Sequence, residues 1–71
     1  MKHKQVLKIA DVMERTKFSK THIYRLITAG EFPAAVKLGE RATGWDADEI
    51  DDWITEKFKT AERVTTYASL N

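Results

Sequence analysis

The chain has 71 residues, a formal charge of +1 and no cysteine. That length bounds it to one domain, whose core alone supplies roughly 3–5 kcal/mol. Disulfides and thiolate metal sites are excluded, two histidines make a structural zinc site a poor fit, and no apolar run approaches the ~20 residues that span a bilayer.

The small net charge conceals an asymmetry. Residues 1–45 hold nine Lys/Arg against four acids, +5; residues 46–71 hold three against seven, −4. The chain therefore has a basic front and an acidic back. Met1 to Gln5 is basic with no apolar h-region behind it, so nothing reads as a signal peptide and a cytoplasmic location is expected.

Residues 1–5 read as a frayed end. Val6-Leu7-Lys8-Ile9 is either a strand stub or an extended lead-in. A first helix is predicted from Asp11 to about Lys17, with the Asp11 carboxylate suiting the macrodipole and Val12, Met13 and Thr16 on one face. Its start is poorly marked, because Ala10 is a weak cap. Ser19 is a good N-cap for a second helix running to about Ala29, in which Ile23, Leu26 and Ile27 form one narrow apolar stripe. Gly30 stands where a left-handed C′ glycine ends a helix. Two helices joined by about three residues have the spacing of a helix-turn-helix.

Glu31-Phe32-Pro33 is a turn, since Pro33 disfavours helix at Phe32. Val36-Lys37-Leu38 alternates as a half-buried strand would, Gly39 to Ala42 turns, and Thr43-Gly44-Trp45 returns as its partner. This small hairpin carries Glu40 and Arg41 at its tip, with Lys37 close behind. The third helix has the best-marked start. Asp46 and Glu49 are spaced as a capping box, and Trp45 and Ile50 as a hydrophobic staple. Ile50, Trp53, Ile54 and Phe58 follow helical spacing, and the helix is expected to end between Lys59 and Ala61. Residues 1–60 then form one domain and 61–71 a weakly patterned, mobile tail.

Catalysis finds little support. Asp48, Asp51, Asp52 and Glu56 share a face, but no histidine joins them and a solvated helix surface explains them. Ser19 has no base partner, and the three glycines are too scattered for a phosphate loop. A core of this size leaves little room for a substrate pocket of ~300 Å³. No enzyme activity, cofactor, metal or small-molecule ligand is expected.

Nucleic-acid binding fits better. With the stripe inward, the second helix presents Thr21, Arg25 and Thr28 on its opposite side. Tyr24 lies on one flank, His22 and Ala29 on the other, and Lys20 near the helix start. Arginine reads guanine bidentately, threonine meets a thymine methyl or a phosphate, and tyrosine and lysine suit the backbone. A plain polar face explains these residue types equally well. The short preceding helix tips the balance, because a helix-turn-helix sends its second helix into the major groove. Lys37 and Arg41 on the hairpin add a second basic element for phosphate or the minor groove. His22 either meets phosphate when protonated or flanks the core. Phe18, Phe32, Trp45 and Trp53 sit at packing positions and read as core. The candidate DNA-binding set is Ser19, Lys20, Thr21, His22, Tyr24, Arg25, Thr28, Lys37 and Arg41.

Val12-Met13-Glu14-Arg15-Thr16, Phe18-Ser19, Thr21, Ile23-Tyr24-Arg25-Leu26-Ile27, Gly30-Glu31-Phe32-Pro33, Val36-Lys37-Leu38-Gly39, Arg41, Gly44-Trp45, Ile50 and Trp53-Ile54 together resemble the AlpA family of prophage regulatory proteins. More distantly the chain is similar to phage excisionases and MerR-type DNA-binding domains. The resemblance runs from about residue 6 to 58. It implies a mainly α fold with a small β-hairpin: a winged helix-turn-helix of three helices plus wing, with the second helix in the major groove of double-stranded DNA. It implies a transcriptional regulator of prophage genes or, with the same binding mode, an excisionase; promoter-proximal or attachment-site targets separate the two. Lys20, Thr21, Tyr24, Arg25, Lys37 and Arg41 match the DNA-facing positions. Two residues depart from the pattern: Lys17 replaces a turn glycine, and Glu40 puts an acid at the wing tip. A reading of another class is an antirepressor-like interaction module using residues 46–60 and the tail. One such module buries roughly 600–1,000 Å² on DNA, so cooperation between copies, as a dimer or a head-to-tail array, is expected.

Overall fold

The computed structural model describes residues 4–62; the expectations for the extreme N-terminus and for residues 63–71 lie outside them. Strand β1 is Val6–Leu7, followed by helices α1, Ile9–Thr16, and α2, Lys20–Thr28. Strands β2, Val36–Lys37, and β3, Thr43–Asp46, precede helix α3, Ala47–Thr60. The strands form one antiparallel sheet ordered β1-β3-β2. Val6 pairs with Asp46 and Leu7 with Trp45, while Val36 pairs with Gly44 and Lys37 with Thr43. Three helices and a hairpin sheet in this order make a winged helix-turn-helix.

Helix α1 begins two residues before the predicted Asp11. Lys8 is its N-cap, and Asp11 reaches back to accept from the Lys8 backbone N–H at 3.0 Å. The missing cap is thus supplied from inside the first turn, where the acid also suits the macrodipole. The helix stops at Lys17, which takes the left-handed conformation at φ +62°. That is uncommon for a residue with a Cβ. Its N–H closes on the Met13 carbonyl at 2.7 Å.

Ser19 caps α2 as expected, its Oγ accepting from the His22 N–H at 3.1 Å. At the other end Gly30 is left-handed at φ +75°. Its N–H donates to the Ile27 carbonyl at 3.0 Å, and the Glu31 N–H to that of Leu26 at 2.8 Å. These two bonds form a Schellman motif and satisfy the last carbonyls of the helix. Asp46 caps α3 by accepting from the Asp48 N–H at 3.0 Å, one residue earlier than a capping box implies. Asp46 also pairs with Lys4 at 2.7 Å.

The core consists of Leu7, Val12, Ile23, Phe32, Trp45, Ala47 and Ile50. Each element except β2 contributes to it, and the half-buried Phe18, Leu26, Ile27, Trp53 and Ile54 pack around it. One expectation fails here, and one residue of an apolar stripe lies apart from the core. Phe58 follows the helical spacing of the buried face yet is 75 % exposed. At 14 residues α3 is longer than α1 and α2, with 8 and 9, and among the described residues none buries Phe58 in its last turns. Val36 and Leu38 are also exposed rather than half-buried; with Val6 they surround Gly44 on the outer face of the sheet.

Candidate nucleic-acid interface

On α2, Ile23 is fully buried, and Lys20, Thr21, Tyr24, Arg25 and Thr28 are exposed. The helix therefore has the predicted orientation, with Thr21, Arg25 and Thr28 opposite its buried stripe. Thr28 donates its hydroxyl to the Tyr24 carbonyl at 2.9 Å. That leaves the methyl group and the remaining lone pairs for a ligand. The Ser19 oxygen is engaged as a cap, while its hydroxyl proton stays available. His22 is half-buried and meets the Phe18 ring edge-to-face at 4.5 Å. It belongs to the flank facing Phe18 rather than to the Thr21–Arg25 face.

The second basic element stands on the hairpin. Lys37 lies on β2, an edge strand, and Arg41 in the connecting turn; both are exposed. The turn is closed by the Leu38 and Gly39 N–H groups, which share the Ala42 carbonyl at 2.7 and 3.2 Å.

The other cations separate these residues from an ordinary charged surface. Lys4 pairs with Asp46, Arg15 with Asp51 at 2.6 Å, and Lys17 with Glu14 at 2.6 Å. Lys8 donates to the Thr43 carbonyl at 3.3 Å, and Lys57 sits 5.4 Å from the centre of a Trp53 ring. Among the described residues, the side chains of Lys20, Arg25, Lys37 and Arg41 make no ion pair, hydrogen bond or cation–π contact, and of the remaining described Lys and Arg residues only Lys59 shares that condition. Acids at the start and middle of α3 are drawn to Lys4 and Arg15, and none among the described residues pairs with α2 or the hairpin. Hydrogen bonding to Asp46 raises the Lys4 ammonium above its ordinary value, and the Lys17 ammonium lowers the Glu14 carboxyl.

Two contacts were not anticipated. The Trp53 indole N–H donates to the Glu31 carbonyl at 3.0 Å, and the Trp45 indole N–H to the Pro33 carbonyl at 2.8 Å. Sequence reading placed both rings as core only. The available signal was that a buried indole seeks an acceptor; which acceptor depends on the fold.

An open groove of about 680 Å³ lies beside Phe18, His22, Leu26, Trp53, Ile54 and Phe58, more space than the sequence suggested. No group of three or more metal-ligating side chains is assembled among the described residues, and no helix there is long and apolar enough to cross a membrane.

Comparison with known proteins adds a family. The uncharacterized protein ORF88 of Enterobacteria phage P4 is 33 % identical over 57 residues, which are 80 % of this chain and 65 % of that protein. The chain thus spans somewhat less than two thirds of that relative's length. No solved structure matches. Residues 5–58 match the family described as prophage CP4-57 regulatory protein, AlpA. Those residues run from the start of β1 to the last turn of α3 and take in both basic elements, and on that match the chain belongs to the AlpA family of prophage regulatory proteins.

Proposed function

We propose that the protein is a sequence-specific DNA-binding regulator of prophage or mobile-element genes. Helix α2 enters the major groove through Lys20, Thr21, Tyr24 and Arg25, with Ser19 and Thr28 at its two ends. Lys37 and Arg41 take the adjacent backbone or minor groove. The observation that carries this reading is the placement of the cations that make no ion pair, hydrogen bond or cation–π contact: among the described Lys and Arg residues, four of the five lie on α2 and the hairpin. Cations left unpaired in the free protein are available to displace counterions from phosphate at no cost in broken ion pairs. Arg25, opposite the buried Ile23, is the residue placed to read a base.

The test begins with selection of bound duplexes from a random pool, followed by titration with the selected site. Arg25→Ala should cost about 1–3 kcal/mol and relax the choice of base at one position. Binding should weaken steeply as salt rises. Unchanged affinity and base preference in the variant would remove α2 as the reading element. Absence of binding to any duplex at low salt would favour a protein partner instead.

A further inference from the structure

The segment between α2 and the hairpin, residues 29–35, has no regular secondary structure. Its first bonds close the end of α2. Beyond them its course is set by two tryptophans from different elements. Trp53 of α3 donates to the Glu31 carbonyl, and Trp45 of β3 donates to the Pro33 carbonyl two residues on. Between these carbonyls Phe32 is buried and meets the Trp53 ring at 4.7 Å, inclined by 68°. Strand β3 is the central strand of the sheet and pairs directly with β2, which carries Lys37. One end of the segment is therefore tied to the helix scaffold and the other to the hairpin. A hinge would be expected at an irregular connection containing Gly30, but these bonds leave it little freedom.

We infer that Trp53 and Trp45 are positioning residues for DNA binding: their indole N–H groups hold residues 31–33 so that the hairpin and α2 engage one duplex together. This rests on the DNA-binding reading above. The physical basis is that two contact elements on one rigid body bind with the second contact already placed, whereas a loose hairpin must be ordered on arrival. Neither indole touches DNA in this scheme.

Trp53→Phe keeps an aromatic ring against Phe18 and Phe32 and removes the donor together with one ring of the indole. If packing suffers in that variant, the full chain synthesised with 3-benzothienylalanine at position 53 keeps the bicyclic shape without an N–H. Each is compared with the unmodified protein on the selected duplex, with and without the hairpin changes Lys37→Ala and Arg41→Ala. In the unmodified protein the paired hairpin changes should weaken binding about tenfold and reduce the salt slope by about two, one for each phosphate contact. With the Trp53 donor removed, the same changes should weaken binding less than about twofold, and the salt slope should already be the lower one. Base preference read by α2 should not move, which separates lost positioning from general unfolding. A full tenfold effect of the hairpin changes in the donor-less protein would overturn the inference and leave the DNA-binding reading intact. No effect of those changes in the unmodified protein would overturn the hairpin's role in DNA binding and the inference with it.

Discussion

Gly44→Ala tests whether the hairpin is seated on the rest of the protein as the structure describes. Gly44 is central in β3 and lies outside the left-handed region, so an alanine is conformationally allowed. The obstacle is space. A Cβ built there would lie 2.6 Å from Val6 Cγ1, 3.0 Å from the Leu7 carbonyl oxygen and 3.4 Å from Leu38 Cδ1. Val6 and Leu38 are about half exposed and can turn aside. The Leu7 oxygen is backbone and cannot move without disturbing the Leu7–Trp45 register. Overpacking of this kind costs about 1–3 kcal/mol. Restricting the unfolded chain by replacing glycine returns about 0.4–1 kcal/mol. The net loss is about 1–2 kcal/mol. At about 4–8 °C per kcal/mol for a domain this small, the midpoint should fall by about 5–15 °C. Thermal melts followed by circular dichroism measure it, with urea unfolding as a check. Adding Val6→Ala should recover only part of the loss, since the backbone contact remains. A midpoint within about 2 °C of the parent, inside the scatter expected of a harmless surface change, would mean that β1 does not lie against Gly44, and the three-stranded sheet would be wrong.

The two left-handed helix ends make opposite predictions. Gly30→Ala meets open space but forces an L-residue to φ +75°, so the melting midpoint should fall by about 1 kcal/mol worth of stability. Lys17→Gly relieves the same strain at φ +62° and should raise the midpoint slightly, because glycine's greater freedom when unfolded offsets much of the gain. Its lost partner, Glu14, is a fully solvated ion pair and contributes little. Equal signs in the two melts would contradict the cap assignments. Lys4→Gln should lower the midpoint near neutral pH. The Lys4 ammonium is raised above its ordinary 10.5 by Asp46, so the stabilisation is fully present below that value. It is lost as pH rises through the folded-state value, and a pH series of melts should show parent and variant converging on the alkaline side.

Features decided within one turn of chain were legible in advance. Ser19, Gly30 and Asp46 each act through a neighbour two to four residues away, so their caps follow from residue type and spacing. The α2 face was legible for the same reason: burying Ile23 fixes where Arg25 points. Features decided by distant chain were not. Val6–Leu7 is too short to announce a strand, and becomes one only because β3 arrives from nearly forty residues away. Periodicity identifies the inward side of α3 but not how far along it neighbours extend, and Phe58 keeps the spacing while lying exposed. Val36 and Leu38 alternate correctly, but they point to a face that the described residues leave uncovered. The indole acceptors on Glu31 and Pro33 are likewise a property of the assembled fold.

The +5 and −4 halves of the sequence suggested two electrostatic faces, and the ion pairs refine that picture. The halves are not insulated from each other: Lys4 and Arg15, from the basic half, are spent on Asp46 and Asp51 of the acidic half. Those pairs link the N-terminal segment and α1 to the start and middle of α3. Among the described cations of the basic half, those with no ion pair or hydrogen bond are localised, Lys20 and Arg25 on one element and Lys37 and Arg41 on the next. For recognition, localisation matters more than the total. The total charge governs attraction only from beyond a Debye length of about 8–10 Å. Within that distance each phosphate senses the nearest cations, and a +1 protein with four unpaired ones on its proposed contact elements is as well equipped as a more basic chain whose charges are dispersed.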